Sequence, residues 1–339
     1  MRKEVRVALI GYGGIARSHC AGYDLLKKEG APVRLVAVCD IDPKKFGSTE
    51  KTNLGESGTG LADDIHTYTD LDKMLAGEEF DMADICLPSY LHREYAVKML
   101  KAGKHVLSEK PMALTAADCL TMLRTAKETG RRLMIGQCLR FEPSYLYLKE
   151  CIATGRFGRL KSLYMDRLSA QPMWGFEGWY TDTEKSGGCI MDLHIHDIDM
   201  ARFLLGEPEA VSSVATDGIT RWQVVNTRMF YPGTLVIADG SWGEASGTKF
   251  RFGFRARFEQ ATVILDHGKV TVYPEGGSAY EVELAHKDRM AEEIRTLANA
   301  ILDPDAVLVA NPPESAYRTV ALIETLRRSA DEGGTRITL

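Results

Sequence analysis

The chain has 339 residues, of which 45% are hydrophobic and 26% are charged, the ordinary mixture of a globular protein. This length suffices for two domains with cores of their own, and the composition argues against global disorder. A formal net charge of −5 argues against a nucleic-acid scaffold. No apolar run approaches the roughly 18 residues of a membrane span. The apolar segment near the N-terminus is too short for a signal peptide, so we expect a cytoplasmic protein.

The number and spacing of the cysteines indicate the redox environment of the protein. There are seven of them, they are scattered along the chain, and none forms a C-x-x-C pair. An odd, scattered set is typical of reduced, mostly buried thiols, so we expect neither a disulfide framework nor a zinc site among them.

A glycine turn near the N-terminus carries the first functional signal. Residues 5–10 form an apolar, β-branched run typical of a buried strand, and GYGGIA follows at residues 11–16 before a helical pattern begins. This is a G-x-G-x-x-A motif in the setting of a dinucleotide fingerprint. Gly11 permits the tight turn, Gly13 lets backbone approach a pyrophosphate, and Ala16 allows close helix–strand packing. An ordinary glycine-rich turn is the alternative.

An acidic residue at the end of the second predicted strand strengthens this interpretation. The strand at residues 34–39 ends on Asp40, near the expected ~20-residue spacing from the glycines. A carboxylate there accepts hydrogen bonds from the ribose hydroxyls of NAD and repels the 2′-phosphate of NADP. A simple loop carboxylate is the alternative, and the neighbouring Lys44 and Lys45 leave NADP open as the less favoured cofactor.

Alternation of strands and helices continues to about Gln137. Strands are predicted at 81–87, 105–107 and 132–135, with helices at 90–102 and 113–129 between them. Such alternation predicts an α/β fold with a doubly wound parallel sheet. The polar, glycine-rich stretch at 47–60 is predicted to be a mobile loop or an irregular helix end. We therefore assign residues 1–137 to a dinucleotide-binding domain.

Residues 138–339 follow a different pattern, predicting an α+β domain with a large, mostly antiparallel open sheet. The segment FRFGFRARF at 250–258 alternates strictly, with aromatic residues on one face and arginines on the other. Two helices at 287–302 and 313–330 end the chain. We expect the phenylalanine row to pack under those helices, and the arginine face is free to meet another subunit.

Two places hold residues suited to catalysis. Lys110, in the sequence SEKP at 108–111, lies at the carboxyl end of a predicted parallel strand, where open α/β sheets bind ligands. Its ammonium could stabilise developing alkoxide charge on a substrate oxygen. A surface Glu–Lys pair explains the same sequence equally well.

The second place is GGCIMDLHIHD at 187–197. A single helix is predicted from the glycines to Leu205, which puts Asp192 and His196, four residues apart, on one face. A histidine titrates near neutrality and can accept a hydroxyl proton. On a strand, His194 and His196 would face one way and could bind zinc, but helical spacing separates them by about 200°, so no metal is expected. A helix start without any catalytic role is the remaining alternative.

Taken in order, these motifs resemble the Gfo/Idh/MocA oxidoreductases, the glucose–fructose oxidoreductase and inositol dehydrogenase group. The matching pieces are GYGGIA, VAVCD, LPSYLH, AGKHVLSEKPMA, GQCLRF and SGGCIMDLHIHDID, at residues 11–16, 36–40, 87–92, 102–113, 136–141 and 186–199. The resemblance spans nearly the whole chain. It implies a Rossmann domain followed by a substrate-binding and oligomerisation domain. It also implies an NAD(P)-dependent oxidoreductase that moves a hydride between nicotinamide and a carbon-bound hydroxyl of a sugar, an inositol-like cyclitol or a related polyol.

The resemblance also implies roles for individual residues. The catalytic residues would be Lys110, Asp192 and His196. The cofactor, NAD in preference to NADP, would meet Gly11, Gly13, Gly14, Ile15, Ala16, Asp40, Ser89, His92 and Glu109. The substrate would be bordered by Arg140, Trp179, Tyr180 and His194, the last being a departure from the small or apolar residue that many members carry. Relatives often dimerise or tetramerise through the second-domain sheet, so we expect a homo-oligomer and no nucleic-acid or membrane partner.

Two other functions are compatible with the same motifs. One is cleavage or elimination of a glycoside by transient oxidation on bound NAD, with no net release of NADH. The other is a regulatory protein that binds NAD without turnover; the presence of Lys110, Asp192 and His196 argues against it.

Overall fold

The computed structural model describes residues 4–48, 50–52, 55–57, 61–303 and 305–339. Its strands are, in chain order, β1 Val5–Ile10, β2 Val33–Cys39, β3 Glu50–Thr52, β4 Gly55–Ser57, β5 His66–Tyr68, β6 Met82–Ile85, β7 His105–Glu109, β8 Leu133–Gly136, β9 Leu160–Leu168, β10 Ala210–Thr216, β11 Val224–Tyr231, β12 Thr234–Ser241, β13 Arg251–Phe258, β14 Ala261–Asp266, β15 Lys269–Pro274, β16 Tyr280–Glu281 and β17 Ile337–Thr338. Its helices are α1 Gly14–Lys28, α2 Leu71–Gly77, α3 His92–Lys101, α4 Ala116–Thr129, α5 Pro143–Thr154, α6 Thr183–Ser186, α7 Gly188–Asp192, α8 Ile195–Leu205, α9 Arg289–Leu302 and α10 Pro313–Asp331. No helix in these described ranges is long and apolar enough to cross a membrane.

The chain divides into two compact units. The first comprises Met1–Cys138 and Lys287–Arg318, and the second comprises Leu139–His286 and Thr319–Leu339. The first break falls one residue from the boundary expected at Gln137. The other two breaks, after His286 and after Arg318, were not expected, and they assign a late segment of the chain to the first unit.

The first unit is built on a six-stranded sheet in the order β5-β2-β1-β6-β7-β8, with every neighbouring pair parallel. Apart from the half-buried Arg6, the residues of the central strands β1 and β6 are buried, as is typical of a parallel sheet that helices cover on both faces. This confirms the doubly wound α/β prediction. Within the segment predicted as a loop at 47–60, β3 and β4 form a short antiparallel pair, and residues 49, 53–54 and 58–60 lie outside the described residues.

Helix termini in this unit follow their sequence signals. The Thr115 hydroxyl accepts a hydrogen bond from the amide of Asp118 at 3.1 Å and so begins α4. Gly130 ends that helix with φ 63°, a left-handed conformation that glycine adopts without steric cost.

Helix α9 corrects the expected packing. We predicted that the last two helices would cover the second sheet, yet the apolar face of α9, including Ile294 and Leu297, joins the core cluster of the first unit beside Tyr23 and Leu26 of α1. Gly22 makes this approach possible, because a Cβ there would lie 3.2 Å from the amide nitrogen of Ala291. The hydrophobic pattern of α9 predicted a buried face correctly but did not identify the surface that buries it.

The second unit holds a nine-stranded sheet in the order β16-β15-β14-β13-β9-β12-β11-β10-β17. All its neighbouring pairs are antiparallel except β9 with β12. Along β13, Phe254, Ala256 and Phe258 are buried while Arg251 and Arg255 are exposed, so the predicted alternation is confirmed. The buried face packs against α7, α8 and the second half of α10, where Ser329 bonds to the backbone of β10.

Candidate active site

The glycine turn after β1 has the geometry of a phosphate cradle. Gly11 has φ 89°, and a Cβ on it would lie 2.7 Å from the carbonyl oxygen of Cys86, so only glycine fits. Helix α1 begins at Gly14, preceded by Gly13, which offers no side chain to cap the first N–H groups. The first turn, which also contains Ile15 and Ala16, carries no acidic residue. These N–H groups and the positive end of the helix dipole suit an anionic group.

Asp40 follows β2 and is 7% exposed. One carboxylate oxygen accepts the amide of Tyr12 in the glycine turn at 2.7 Å and lies 3.3 Å from Lys45 Nζ, and the other accepts the amide of Asp42 at 2.9 Å. The carboxylate is thus fixed beside the glycine turn, with Lys45 as a neighbouring positive charge.

The segment after β6 contains two further candidates. Ser89 is buried and begins a short 3₁₀ turn that leads into α3. His92, the first residue of α3, is buried, and its two ring nitrogens lie 2.7 Å from the carbonyl oxygens of Pro111 and Leu87. His92 therefore joins this segment to the turn that follows β7, and both ring nitrogens already have protein partners.

That turn carries Lys110, which is half-buried, and the Lys110–Pro111 peptide bond is cis. The preceding Glu109 is 5% exposed, and its carboxylate faces inward: one oxygen lies 3.0 Å from His19 Nε2 and the other accepts the amide of Lys110 at 3.0 Å. We expected Glu109 beside the nicotinamide ribose. Both carboxylate oxygens have partners within the protein, and the place of Glu109 beside the ribose stays a prediction.

Asp192 and His196 lie on two helices, which corrects the expected single helix. Helix α7 ends at Asp192 and α8 begins at Ile195. Between them, the amide of His194 bonds to the carbonyl of Cys189 five residues earlier, a wider loop than the four-residue step of an α-helix. Asp192 is 8% exposed and His196 is half-buried, so the two remain close in sequence on either side of a break.

The two glycines before α7 are required by close contacts. Gly187 and Gly188 have φ 76° and 72°. A Cβ on Gly188 would lie 2.4 Å from the carbonyl oxygen of Arg221. This backbone position therefore excludes every other residue type. It fixes the start of α7 and thereby the position of Asp192 at its end.

His194 is a core residue, which corrects its expected place beside the substrate. It is fully buried, and its Nε2 lies 2.8 Å from Thr227 Oγ1 on β11. Gly240 on β12 leaves room for the ring, since a Cβ there would come within 2.7 Å of Nδ1. Burial and then the charge of Arg167 lower the pKa of His194 to about 3, so the ring is neutral.

Two buried ion pairs hold the helix that carries His196. Asp197 pairs with Arg167 through two contacts of 3.1 Å, and Asp199 pairs with Arg140 through contacts of 2.8 and 2.7 Å. Arg140 is 3% exposed, so the side chain expected to border the substrate instead forms a bidentate structural pair. Sequence reasoning missed Asp197 and Asp199 as anchors. The acidic residues flanking His196 were the available signal, but their arginine partners are distant in sequence.

An aromatic cluster surrounds Tyr180. Its ring stacks on Trp179 at 3.9 Å between centroids and meets Trp174 at 4.9 Å and Trp242 at 5.8 Å. Trp179 is 8% exposed and Trp174 is 39% exposed, so the cluster has a buried and an accessible side. Flat aromatic faces of this kind pack well against the C–H faces of sugar rings.

Two family models match the chain. One, described as an oxidoreductase family with an NAD-binding Rossmann fold, matches residues 5–137, and the other, the GFO/IDH/MocA C-terminal domain, matches residues 145–271. The chain belongs to the GFO/IDH/MocA oxidoreductase family. Its first unit contains the NAD-binding Rossmann domain of this family, and the parallel sheet and glycine turn described above are that fold.

Individual relatives and solved structures are similar to this chain over most of its length. An inositol 2-dehydrogenase of Rhizobium meliloti (strain 1021) is 29% identical over 84% of this chain and 79% of its own length. A 1,5-anhydro-D-fructose reductase of Ensifer adhaerens is 30% identical over 76% of this chain and 69% of its own. Among solved structures, the WlbA dehydrogenase of Bordetella pertussis, in complex with NADH and UDP-GlcNAcA, has a TM-score of 0.77 at 22% identity, covering 99% of each chain. The likeness to the solved structure concerns the fold alone.

Proposed function

We propose that this oxidoreductase is an NAD-dependent dehydrogenase of sugars, cyclitols or related polyols. The relatives named above carry substrates of this class in their names, and the chain retains the residues that such chemistry needs. NAD, when bound, supplies the acceptor for a hydride leaving a carbon that bears a hydroxyl group.

One observation carries the proposal: four candidate segments follow four neighbouring parallel strands at one edge of one sheet. Asp40 follows β2, Gly11 follows β1, Ser89 lies beyond β6, and Lys110 follows β7. Ligands bind at this edge in open α/β sheets. Lys110 stands two strand spacings, about 10 Å, along the edge from the glycine turn, which suits a cofactor with ribose at Asp40, pyrophosphate at Gly11 and its reactive ring toward Lys110.

The chemical roles follow from the side chains. Lys110 donates a hydrogen bond to the substrate oxygen and stabilises it as negative charge develops. His196 accepts the hydroxyl proton, and Asp192 orients the hydroxyl or the imidazole. Trp179 and Tyr180 border the substrate. Asp40 favours NAD over NADP, although Lys45 beside it gives a 2′-phosphate one positive neighbour.

The first experiment is nicotinamide absorbance with purified protein, NAD or NADP, and a panel of inositols, aldoses and sugar acids. We expect NADH formation with one substrate class. Lys110→Ala should then lower kcat by about 10²- to 10⁴-fold with little change in NAD affinity. Lys101→Ala, an exposed lysine at the end of α3, is the control and should behave like the wild type.

Other outcomes discriminate between functions. Bound NAD without net NADH release would replace simple oxidation by the transient-oxidation mechanism. Absence of both turnover and nucleotide binding, or normal kcat in Lys110→Ala, would contradict the proposal.

We also propose that the protein forms a homo-oligomer through the second sheet. Tyr164, Arg251, Arg255 and Tyr273 are exposed on β9, β13 and β15, and Arg251 pairs with Asp166 on that surface. Light scattering should give a dimer or tetramer, and Arg255→Glu should weaken it. A monomeric wild type would contradict this part. All seven cysteines are free thiols, which supports the cytoplasm as the working compartment.

A further inference from the structure

A chain of buried ionisable side chains lies directly behind Lys110 in the first unit. His19 of α1 stands between two carboxylates, with Nδ1 2.8 Å from Asp84 on β6 and Nε2 3.0 Å from Glu109 on β7. The side chains of His19 and Asp84 are fully buried, and that of Glu109 is 7% exposed. Both ring nitrogens face carboxylate oxygens, which is the arrangement of an imidazolium that donates two hydrogen bonds.

Asp84 fixes the orientation of this ring. Its Oδ2, the oxygen that contacts His19, also accepts the hydroxyl of Tyr23 at 2.8 Å, and the thiol of Cys86 lies 3.7 Å from its Oδ1. Burial, the largest cause, lowers the pKa of His19, but the charge and hydrogen bond of Asp84 together with the contribution of Cys86 outweigh it, so the pKa lies well above its usual value. Asp84 therefore stabilises the protonated form of His19 and fixes the orientation of its ring.

Glu109 passes this constraint to Lys110. One oxygen contacts His19 and the other accepts the backbone amide of Lys110 at 3.0 Å. Gly136 of β8 leaves space for the carboxylate, since a Cβ there would lie 3.2 Å from Oε1. Although burial alone would raise the pKa of Glu109, its hydrogen bond to His19 and the positive charges of His19 and Lys110 lower it, so the group is ionised.

Glu293 of α9 completes the surroundings. It is fully buried, and neither carboxyl oxygen has a hydrogen-bond partner within the described part of the chain. Single ligand atoms of His19, Glu109 and Glu293 lie within 4.8 Å of one another. Three ionised carboxyl groups around one imidazolium would leave two negative charges in a buried site, which is unfavourable. Burial and then the charge of Glu109 raise the pKa of Glu293 well above its usual value.

We propose that His19 is a positioning residue for Lys110, acting through Glu109, and that Glu293 beside them is a neutral carboxylic acid. His19 holds the Glu109 carboxylate in the one orientation that receives the Lys110 amide. Because a protonated Glu293 carries no negative charge, it does not compete with Glu109 for the imidazolium of His19. This inference rests on the proposed role of Lys110 in the reaction.

The decisive variant is His19→Gln, which removes the positive charge but keeps an amide donor. We expect kcat to fall by about 10- to 100-fold, because a misplaced group near the reacting atoms costs this much. NAD affinity should stay close to that of the wild type. The matched control is His105→Gln at the opposite end of the same strand, where Nδ1 accepts the Arg132 amide, and it should retain wild-type kcat.

Two nuclear magnetic resonance readouts do not depend on turnover. The ¹⁵N shifts of His19 should report both nitrogens protonated at pH 7, and the Lys110 amide proton should move upfield in His19→Gln. A neutral His19 at pH 7 overturns the inference. So does a folded His19→Gln variant with both an unshifted Lys110 amide and wild-type kcat. Failure of the proposed function has a different signature, namely wild-type kcat in Lys110→Ala.

Glu293→Gln tests the neutral acid. Because glutamine mimics the protonated side chain, we expect the variant to unfold at the same or a higher denaturant concentration than the wild type at pH 8. Metal analysis of both purified proteins should give no stoichiometric divalent ion. A bound ion in the wild type, lost together with stability in Glu293→Gln, would overturn the inference in favour of a metal site on His19, Glu109 and Glu293.

Discussion

Two fully buried histidines, one in each unit, differ in charge: the ring of His19 is protonated, and that of His194 is neutral. His19 lies between the carboxylates of Asp84 and Glu109, and its pKa is raised. His194 faces the hydroxyl of Thr227, and burial lowers its pKa to about 3. Burial disfavours the charged form of both histidines, and the partners decide whether this cost is offset.

The same contrast extends to the surroundings of the proposed catalytic residues. Behind Lys110, negative charge is balanced by a titratable imidazolium, whereas around His196 it is balanced by Arg140 and Arg167, which remain charged at every physiological pH. The first unit thus relies on groups whose charge depends on their neighbours, and the second relies on permanent charges. Removing a partner should have different consequences in the two places.

The largest effect is expected from Arg140→Met in the second unit. Removing the arginine leaves Asp199 buried without its bidentate partner, which should cost about 3–5 kcal/mol in the free energy of unfolding. Denaturant titration measures this. Arg140→Met with Asp199→Asn should recover part of the loss. If the variant kept the stability of the wild type and instead showed a raised KM, Arg140 would be a substrate-binding residue and not a structural one.

In the first unit, Asp84→Asn should cost less, about 1.5–3 kcal/mol, because Glu109 still faces His19. Its more specific consequence is a fall in the pKa of His19, measurable by ¹⁵N shifts over a pH titration. A raised histidine pKa stabilises the folded state at low pH, and this stabilisation is lost as the pH rises through the pKa of the folded state. The variant should therefore lose this pH dependence of the free energy of unfolding. An unchanged pKa would break the contrast between the two histidines.

His194 should make the second unit sensitive to acid. Its folded pKa, about 3, lies below the usual 6.5, so the unfolded chain gains a proton first and stability is lost as pH falls below 6.5. Between pH 6.5 and 5 this amounts to about 2 kcal/mol. Urea titrations at the two pH values should show a smaller loss for His194→Asn. The control is His267→Asn, an exposed residue with φ 48° that asparagine adopts readily, and it should match the wild type.

Asp40 is a third buried carboxyl group, and its proposed partner is the cofactor. Asp40→Asn keeps one oxygen that can accept the Tyr12 amide but places its NH2 group opposite the amide of Asp42, so stability should fall by about 1 kcal/mol. NAD affinity should fall by about tenfold, roughly 1.4 kcal/mol, and the preference over NADP should narrow. Isothermal titration with both cofactors measures it. Equal dissociation constants of wild type and variant for both cofactors would show that Asp40 does not bind the cofactor.

The sequence by itself determined the local features of this protein. The glycine turn, the acidic end of β2, the cap at Thr115 and the alternation along β13 each depend on neighbouring residues whose steric and hydrogen-bonding needs are visible in the chain. The motifs around Gly11, Lys110 and Asp192 were sufficient to identify the family, and their order along the chain predicted a parallel sheet followed by an antiparallel one.

Only the tertiary structure decided where the buried faces and charges find their partners. Helix α9 returns to the first unit, Arg140 pairs with Asp199, His194 meets Thr227, and Glu109 turns inward to His19. The physical reason is common to all of them: hydrophobic patterns and ionisable side chains specify that a partner is needed, whereas the partner itself lies many residues away and is chosen by the packing of the whole unit.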